Sequence, residues 1–123
     1  MILRSLLVAG AAEACEPPRL EPSTRIEGKQ HVLLFRGVPS PPPLNAAFAV
    51  EIAVCARNGA SVAAPRVDAW MPAHRHGMNY RPSVVAKSPG SFRAEGLLLH
   101  MPGRWELVFE VGGERLTAAH VLD

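Results

Sequence analysis

The side chains best suited to chemistry are histidines and methionines gathered in two short blocks. Three of the five histidines and three of the four methionines fall in them. Imidazole and thioether are borderline-to-soft neutral donors, and the blocks contain no cysteine and almost no carboxylate. This composition predicts a site for copper, in particular Cu(I), rather than for calcium, magnesium or structural zinc. The donors are Met71, His74, His76 and Met78 in the first block and His100 and Met101 in the second.

Each block follows a predicted strand, so loops on a rigid scaffold would present both blocks. His74 and His76 point to the same side if the chain is extended there, because side chains alternate along a strand. Taken singly, Met71 and Met101 are better explained as core residues. A lone histidine is usually a surface or capping residue, and it is the pairing of two histidines one residue apart that favours ligands.

The remaining polar and aromatic residues have structural interpretations. His31 starts a predicted strand and His120 shares the parity of apolar neighbours, so both are expected to be structural, with His120 hydrogen-bonded. Trp105 is predicted to lie in the core. Asp68 and Tyr80 lie near the first block, where either could orient an imidazole or fix a turn.

The sequence carries none of the local patterns on which common enzyme chemistries depend. It has no Gly-x-Ser-x-Gly elbow, no glycine-rich phosphate loop, no His-Glu-x-x-His pair and no Cys-x-x-Cys. We therefore predict a protein that is not an enzyme.

Composition narrows the class of protein. The chain of 123 residues has a net charge of +2 with its charges scattered, which disfavours nucleic-acid binding. It has no apolar run long enough to span a bilayer. Twelve prolines and ten glycines are unfavourable for a helical bundle.

Hydrophobic alternation and turn residues predict seven strands. They cover residues 31–38, 46–56, 62–70, 84–87, 91–99, 104–111 and 114–122. Phe92, Ala94 and Leu98 share one parity in the fifth. After the Asn58–Gly59 turn the chain can form a hairpin or cross between sheets. The pattern fits an all-β, immunoglobulin-like two-sheet sandwich, with a small barrel as the alternative.

The N-terminal residues predict export. Residues 1–14 are typical of a short signal peptide, with Arg4, an apolar stretch from Leu6 to Ala12 and a small-residue cleavage site at Ala14. The alternative is a short first helix or strand. Residues 15–30 are predicted to be an extended lead-in, and residues 31–123 the folded domain. The expected location is the periplasm or another exported compartment.

The two cysteines leave two fates open for Cys15. It could be lipidated after cleavage and anchor the chain, or it could form a disulfide with Cys55 in an oxidising compartment. We favour the Cys15–Cys55 disulfide, because a Leu three residues before the cysteine is missing. A free, buried Cys55 is the remaining alternative.

Two segments resemble the YtkA-like family. These are Asp68-Ala-Trp-Met-Pro-Ala-His-Arg-His-Gly-Met-Asn-Tyr80 and Gly96-Leu-Leu-Leu-His-Met-Pro-Gly-Arg-Trp105, within a similarity that covers about residues 30–122. The family is related in character to the FixH proteins of oxidase assembly. The resemblance implies an exported immunoglobulin-like sandwich with a link to copper handling or respiratory-complex maturation.

By position, the resemblance points to His74, His76, Met78, His100 and Met101 as a metal face, with Met71 as an outer candidate. The chain departs from membrane-anchored relatives in lacking a transmembrane helix, which favours a periplasmic Cu(I) carrier or chaperone that serves a membrane-bound cuproprotein or oxidase. The alternative is a metal-free structural or interaction module that assists assembly of a membrane or respiratory complex.

Overall fold

Two antiparallel β-sheets make up the fold. The computed structural model describes residues 14–123, so the expected signal peptide lies outside the described residues apart from Ala14. The nine strands of the described part are β1 (Thr24–Glu27), β2 (His31–Val38), β3 (Phe48–Ala56), β4 (Arg66–Met71), β5 (His76–Gly77), β6 (Ser83–Ser88), β7 (Ser91–Leu97), β8 (Gly103–Val111) and β9 (Glu114–Leu122). The predicted all-β, two-sheet class is confirmed. Between residues 14 and 123, no helix has the length and hydropathy needed to cross a membrane.

The chain crosses between the two sheets three times, after β3, β5 and β7. One sheet has five strands in the order β1–β2–β3–β7–β6, and the other has four in the order β5–β4–β8–β9. After the Asn58–Gly59 turn the chain leaves β3 for β4 in the opposite sheet, so of the two predicted outcomes the crossover is the one observed. The last two predicted strands are confirmed, and they pair with each other as the β8–β9 hairpin.

The core lies between the sheets and is built from alternate residues of both. Leu33 and Ile52 come from the five-stranded sheet, and Trp105 and Phe109 from the four-stranded one. All four are essentially buried. Burial of such side chains is the main favourable contribution to folding. Trp105 lies in this core, as predicted.

Two strands were not predicted from the sequence. β1 lies within the expected lead-in and pairs with β2, although its side chains are mostly exposed and show no alternation. β5 has only two residues and pairs with the end of β4. Both depend on a neighbouring strand rather than on their own hydrophobic pattern.

A bulge in β7 changes the predicted parity at its end. Phe48 pairs with Leu97 and Ala49 with Glu95, which leaves Gly96 as an extra residue with a φ of +87°. Phe92 and Ala94 are buried as expected, but beyond the bulge Leu97 and Leu99 are buried and Leu98 is not. The prediction that Leu98 shares the inward face is therefore wrong.

The disulfide between Cys15 and Cys55 is present, with 6.1 Å between the two Cα atoms. It ties the start of the described chain to the end of β3. The Cys15 sulfur that a lipid anchor would use is therefore occupied in this structure.

Near the disulfide, Glu114 joins the two sheets. Its carboxylate accepts hydrogen bonds from the Lys29 N–H at 2.6 Å, the Gln30 N–H at 3.1 Å and His31 Nδ1 at 2.9 Å. We call these four residues the carboxylate clamp. Burial raises the pKa of Glu114, but the His31 ring and the two backbone donors lower it more, so the net pKa lies below its ordinary value. His31 is structural, as predicted.

Candidate functional site

The two sequence blocks meet at the end of the sandwich opposite the carboxylate clamp. β4 lies beside β8, and β4 ends at Met71 near the point where β8 begins at Gly103. Gly103 has a φ of +131°, a backbone conformation that favours glycine, and an added Cβ there would lie 2.7 Å from the end of the Met71 side chain.

A tight turn positions the first block. The Met71 carbonyl accepts hydrogen bonds from the His74 N–H at 3.2 Å and the Arg75 N–H at 2.9 Å, and Arg75 has a φ of 55°. The chain then returns as β5, so that His76 lies opposite Met71. This turn places the His74 and His76 rings beside each other at the end of β4.

Four aromatic side chains form the centre of the site, and we call them the ring cluster. The ring centroids of His74 and His76 are 5.7 Å apart, and those of His76 and His100 are 5.3 Å apart. Trp105 lies edge-on to both His100 and His76, with centroids at 5.5 and 6.2 Å. Histidines from both blocks therefore lie within reach of one another across the β4–β8 pair.

The histidines differ in exposure and in hydrogen bonding. His74 is exposed, and His76 and His100 are half-buried. His76 Nδ1 lies 3.3 Å from the Gly77 carbonyl oxygen. His100 Nδ1 is buried and has no hydrogen-bond partner among residues 14–123. A buried polar atom without a partner is costly in a folded protein, so this nitrogen requires an explanation.

The methionines occupy three different environments. Met71 lies in the core with 1% of its surface exposed. Met78 is half-buried, and its Sδ lies 3.5 Å from the Leu98 N–H as a weak acceptor. Met101 is also half-buried, and its carbonyl accepts the Trp105 indole N–H at 3.0 Å. Met101 is thus joined to the ring cluster through its backbone carbonyl, and the Met78 sulfur lies at the Leu98 backbone. Met71 has the core position that its residue type alone predicts.

Asp68 and Tyr80 were each predicted either to orient an imidazole or to fix a turn. Asp68 accepts the neighbouring Ala69 N–H at 2.8 Å, and Tyr80 is exposed. His120 was expected to be hydrogen-bonded, but its buried Nε2 has no partner in the described residues, so that prediction is wrong. His120 lies opposite Trp105 across the β8–β9 pair.

Trp105 is the member of the site that the sequence analysis assigned only to the core. The signal that could have revealed it is its position five residues after His100, in a strand that begins between them. The buried indole therefore packs against both half-buried histidines.

The site has few ligands of the types that hold most metals. Within the described chain, no group of three or more His, Cys, Asp or Glu side chains could hold a metal ion. A structural zinc site needs four such ligands. A metal bound here would therefore combine histidine nitrogen with methionine sulfur, a donor set suited to Cu(I).

Comparisons of the chain with protein-family models, with curated proteins and with solved structures gave no match.

Proposed function

We propose that this chain is an exported copper-binding protein that carries Cu(I) between partners, with the ring cluster as its metal site. The proposal includes an immunoglobulin-like, YtkA-like domain and a membrane-bound cuproprotein or oxidase as the recipient. The disulfide is compatible with an exported location, since such bonds persist in oxidising compartments.

The observation that carries the proposal is the unpartnered His100 Nδ1 beside the His76 ring. The two ring centroids are 5.3 Å apart. Two imidazole nitrogens that share one ion at about 2 Å each lie no more than about 4 Å apart, so binding requires the two rings to turn their nitrogens toward each other. An ion between them would satisfy the nitrogen that no group among residues 14–123 satisfies.

The surroundings favour Cu(I) over other ions. Met78 and Met101 belong to the same two sequence blocks as the histidines and would supply soft sulfur, which discriminates against calcium and magnesium. Cu(I) also tolerates low coordination numbers, so two histidines with one methionine are sufficient. We assign His76 and His100 as the main ligands and His74, Met78 and Met101 as further ones. Met71 is left out of the proposed ligand set because it packs in the core.

The test is a titration of the purified protein with Cu(I) against a competing chelator. We expect one ion to bind, and the double variant His76→Ala, His100→Ala to weaken its affinity by about 100-fold or more. In a Trp70→Phe background, fluorescence of the remaining Trp105 should change on binding, because its ring lies against His100.

The matched control is His120→Gln. It removes another imidazole whose Nε2 is unpartnered among residues 14–123 but which lies outside the ring cluster, and we expect it to leave the affinity unchanged. Absence of binding, or equal affinity in the double variant, would refute the copper proposal and favour the metal-free assembly module.

A further inference from the structure

The outer edge of β9 is the longest open sheet edge in the described chain. β9 is the last strand of the four-stranded sheet and has nine residues, and its pairing with β8 runs through all nine without a register shift. It contains no proline and no lysine. An edge of this kind is a template for pairing with a further strand.

Alternate residues of β9 have main-chain groups without partners. Because Val111 and Glu114 flank the two-residue Gly112–Gly113 turn, they form a hydrogen-bonded pair. Every second residue of β9 from Glu114 onward therefore bonds to β8, and the N–H and C=O groups of the residues between them point away from β8. No group among residues 14–123 bonds to these outward N–H and C=O groups. The outward residues are Arg115, Thr117, Ala119 and Val121.

The other sheet edges of the described chain are protected. β1 has only four residues, and β6 has a register shift at Lys87. Along β4, β5 covers the last two residues, and both main-chain groups of Ala69 are already bonded, the N–H to Asp68 and the carbonyl to the Met78 N–H. Short strands, bulges, lysines and covering segments are the means by which proteins prevent unwanted strand pairing. The edge of β9 has none of them.

The side chains along this edge are also available for contact. Val121 is 60% exposed, the largest exposed fraction among the large apolar residues of the part of the chain described. Arg115, near the start of β9, keeps 55% of its side chain exposed and lies 3.7 Å from Glu110. Asp123, directly after β9, forms no ion pair within residues 14–123. The edge therefore has a cation near one end and an acid at the other.

We propose that two copies of this chain form a dimer by pairing β9 with β9, antiparallel about a two-fold axis at Ala119. The two four-stranded sheets then become one sheet of eight strands, four from each copy. Arg115 of each copy lies opposite Asp123 of the other, and Thr117 lies opposite Val121. Opposite charges and β-branched residues in directly opposed positions stabilise antiparallel strand pairs.

The register follows from the backbone and from the charges. Outward residues pair only with outward residues, because both must point their main-chain groups to the shared edge. An axis at Ala118 or at His120 would leave Arg115 without an acid opposite it. Two-fold pairing uses the same edge of both copies, so the assembly closes as a dimer and leaves no β9 edge for further growth.

This dimer goes beyond the proposed function and does not depend on it. The four side chains of the ring cluster all lie outside β9. The open edge is present in the chain without metal, so dimer formation is tested on chelator-treated protein.

The first test is sedimentation equilibrium of the purified protein over a range of concentrations. We expect monomer at low and dimer at high concentration, and slower hydrogen exchange of the Thr117 and Ala119 amides as the dimer forms. Val121→Lys puts a charge on the edge and should weaken the dimer by about tenfold or more. The matched control is Val85→Lys on the β6 edge, where the valine is 52% exposed, and it should leave the dimer unchanged.

A charge exchange tests the register. Arg115→Glu alone and Asp123→Arg alone should each weaken the dimer several-fold, because like charges then lie opposite each other. The double variant should restore it, because opposite charges face one another again. Both side chains are exposed, so these changes leave the core intact.

Three results would overturn the proposal. They are a monomer at every concentration up to about 1 mM, equal weakening by Val85→Lys and Val121→Lys, and no recovery in the charge-exchanged double variant. None of these results would bear on Cu(I) affinity, so a failure here is distinguishable from a failure of the proposed function.

Discussion

A histidine nitrogen is buried at each end of the sandwich, and the two nitrogens differ in their hydrogen bonding. At one end His31 is bonded to Glu114, whose carboxylate also accepts two backbone N–H groups. At the other end His100 keeps a buried nitrogen without a partner in the described chain. The contrast fits the proposal that the His31 end stabilises the fold and that the His100 end binds a ligand, since unsatisfied polar groups are expected at functional sites.

The difference shows that residue type alone does not reveal a site. Both histidines border a strand end, and both lie against the core. What separates them is the neighbourhood: the Glu114 carboxylate beside His31, and the rings of His76 and Trp105 beside His100. Three predictions test this contrast.

The largest effect is expected from Glu114→Ala. The change leaves His31 Nδ1 and two backbone donors without their acceptor, so we expect the free energy of unfolding to fall by about 2 kcal/mol. Urea denaturation measures it. The control is Glu21→Ala, which removes an exposed carboxylate paired with Arg19 and should have no measurable effect. Equal stability of Glu114→Ala and the parent would show that the clamp is dispensable.

A smaller loss of unfolding free energy is expected at low pH. The pKa of Glu114 is lower in the folded chain than its ordinary value of 4.5. Its ionised form therefore stabilises the fold fully above that value, and this contribution is lost as the pH falls through the folded-state pKa. The difference in unfolding free energy between the parent and Glu114→Gln should shrink from neutral pH to about pH 3. A difference independent of pH would contradict this assignment.

The smallest effect, and of opposite sign, is expected from His100→Leu without metal. The substitution removes an unpartnered polar nitrogen and keeps a similar apolar volume, so stability should be unchanged or rise by up to about 1 kcal/mol. Thermal unfolding with and without Cu(I) is the measurement, and the variant should also lose the stabilisation that copper gives the parent. A clear loss of stability in the metal-free variant would mean that His100 is a structural residue like His31.

Much of the fold could be predicted because its central strands carry their own pattern. Trp105, Leu107 and Phe109 share one face of β8, with Glu106 and Glu110 on the other face, and the structure buries all three. β1 was missed because an edge strand with exposed side chains has no such pattern, and only its pairing with β2 defines it.

The site was predictable in part for the same reason. Both blocks follow strands that end on the same side of the sandwich, which brings His76 and His100 together. The roles of the methionines could not be predicted, because flexible thioethers fill whatever space the fold leaves. Met71 entered the core, while Met78 remained half-buried near Leu98.

The bulge at Gly96 bears on how the ring cluster could be gained or lost by mutation. One extra residue sets which way the next few residues of the chain face, up to the turn before β8, and with this bulge Leu99 is buried beside Leu44 and His100 lies next to His76. Deletion of this glycine would exchange inward and outward positions in that segment without altering any proposed ligand residue. A single insertion or deletion event could thus create or erase the site, whereas substitutions would have to change several residues to do the same.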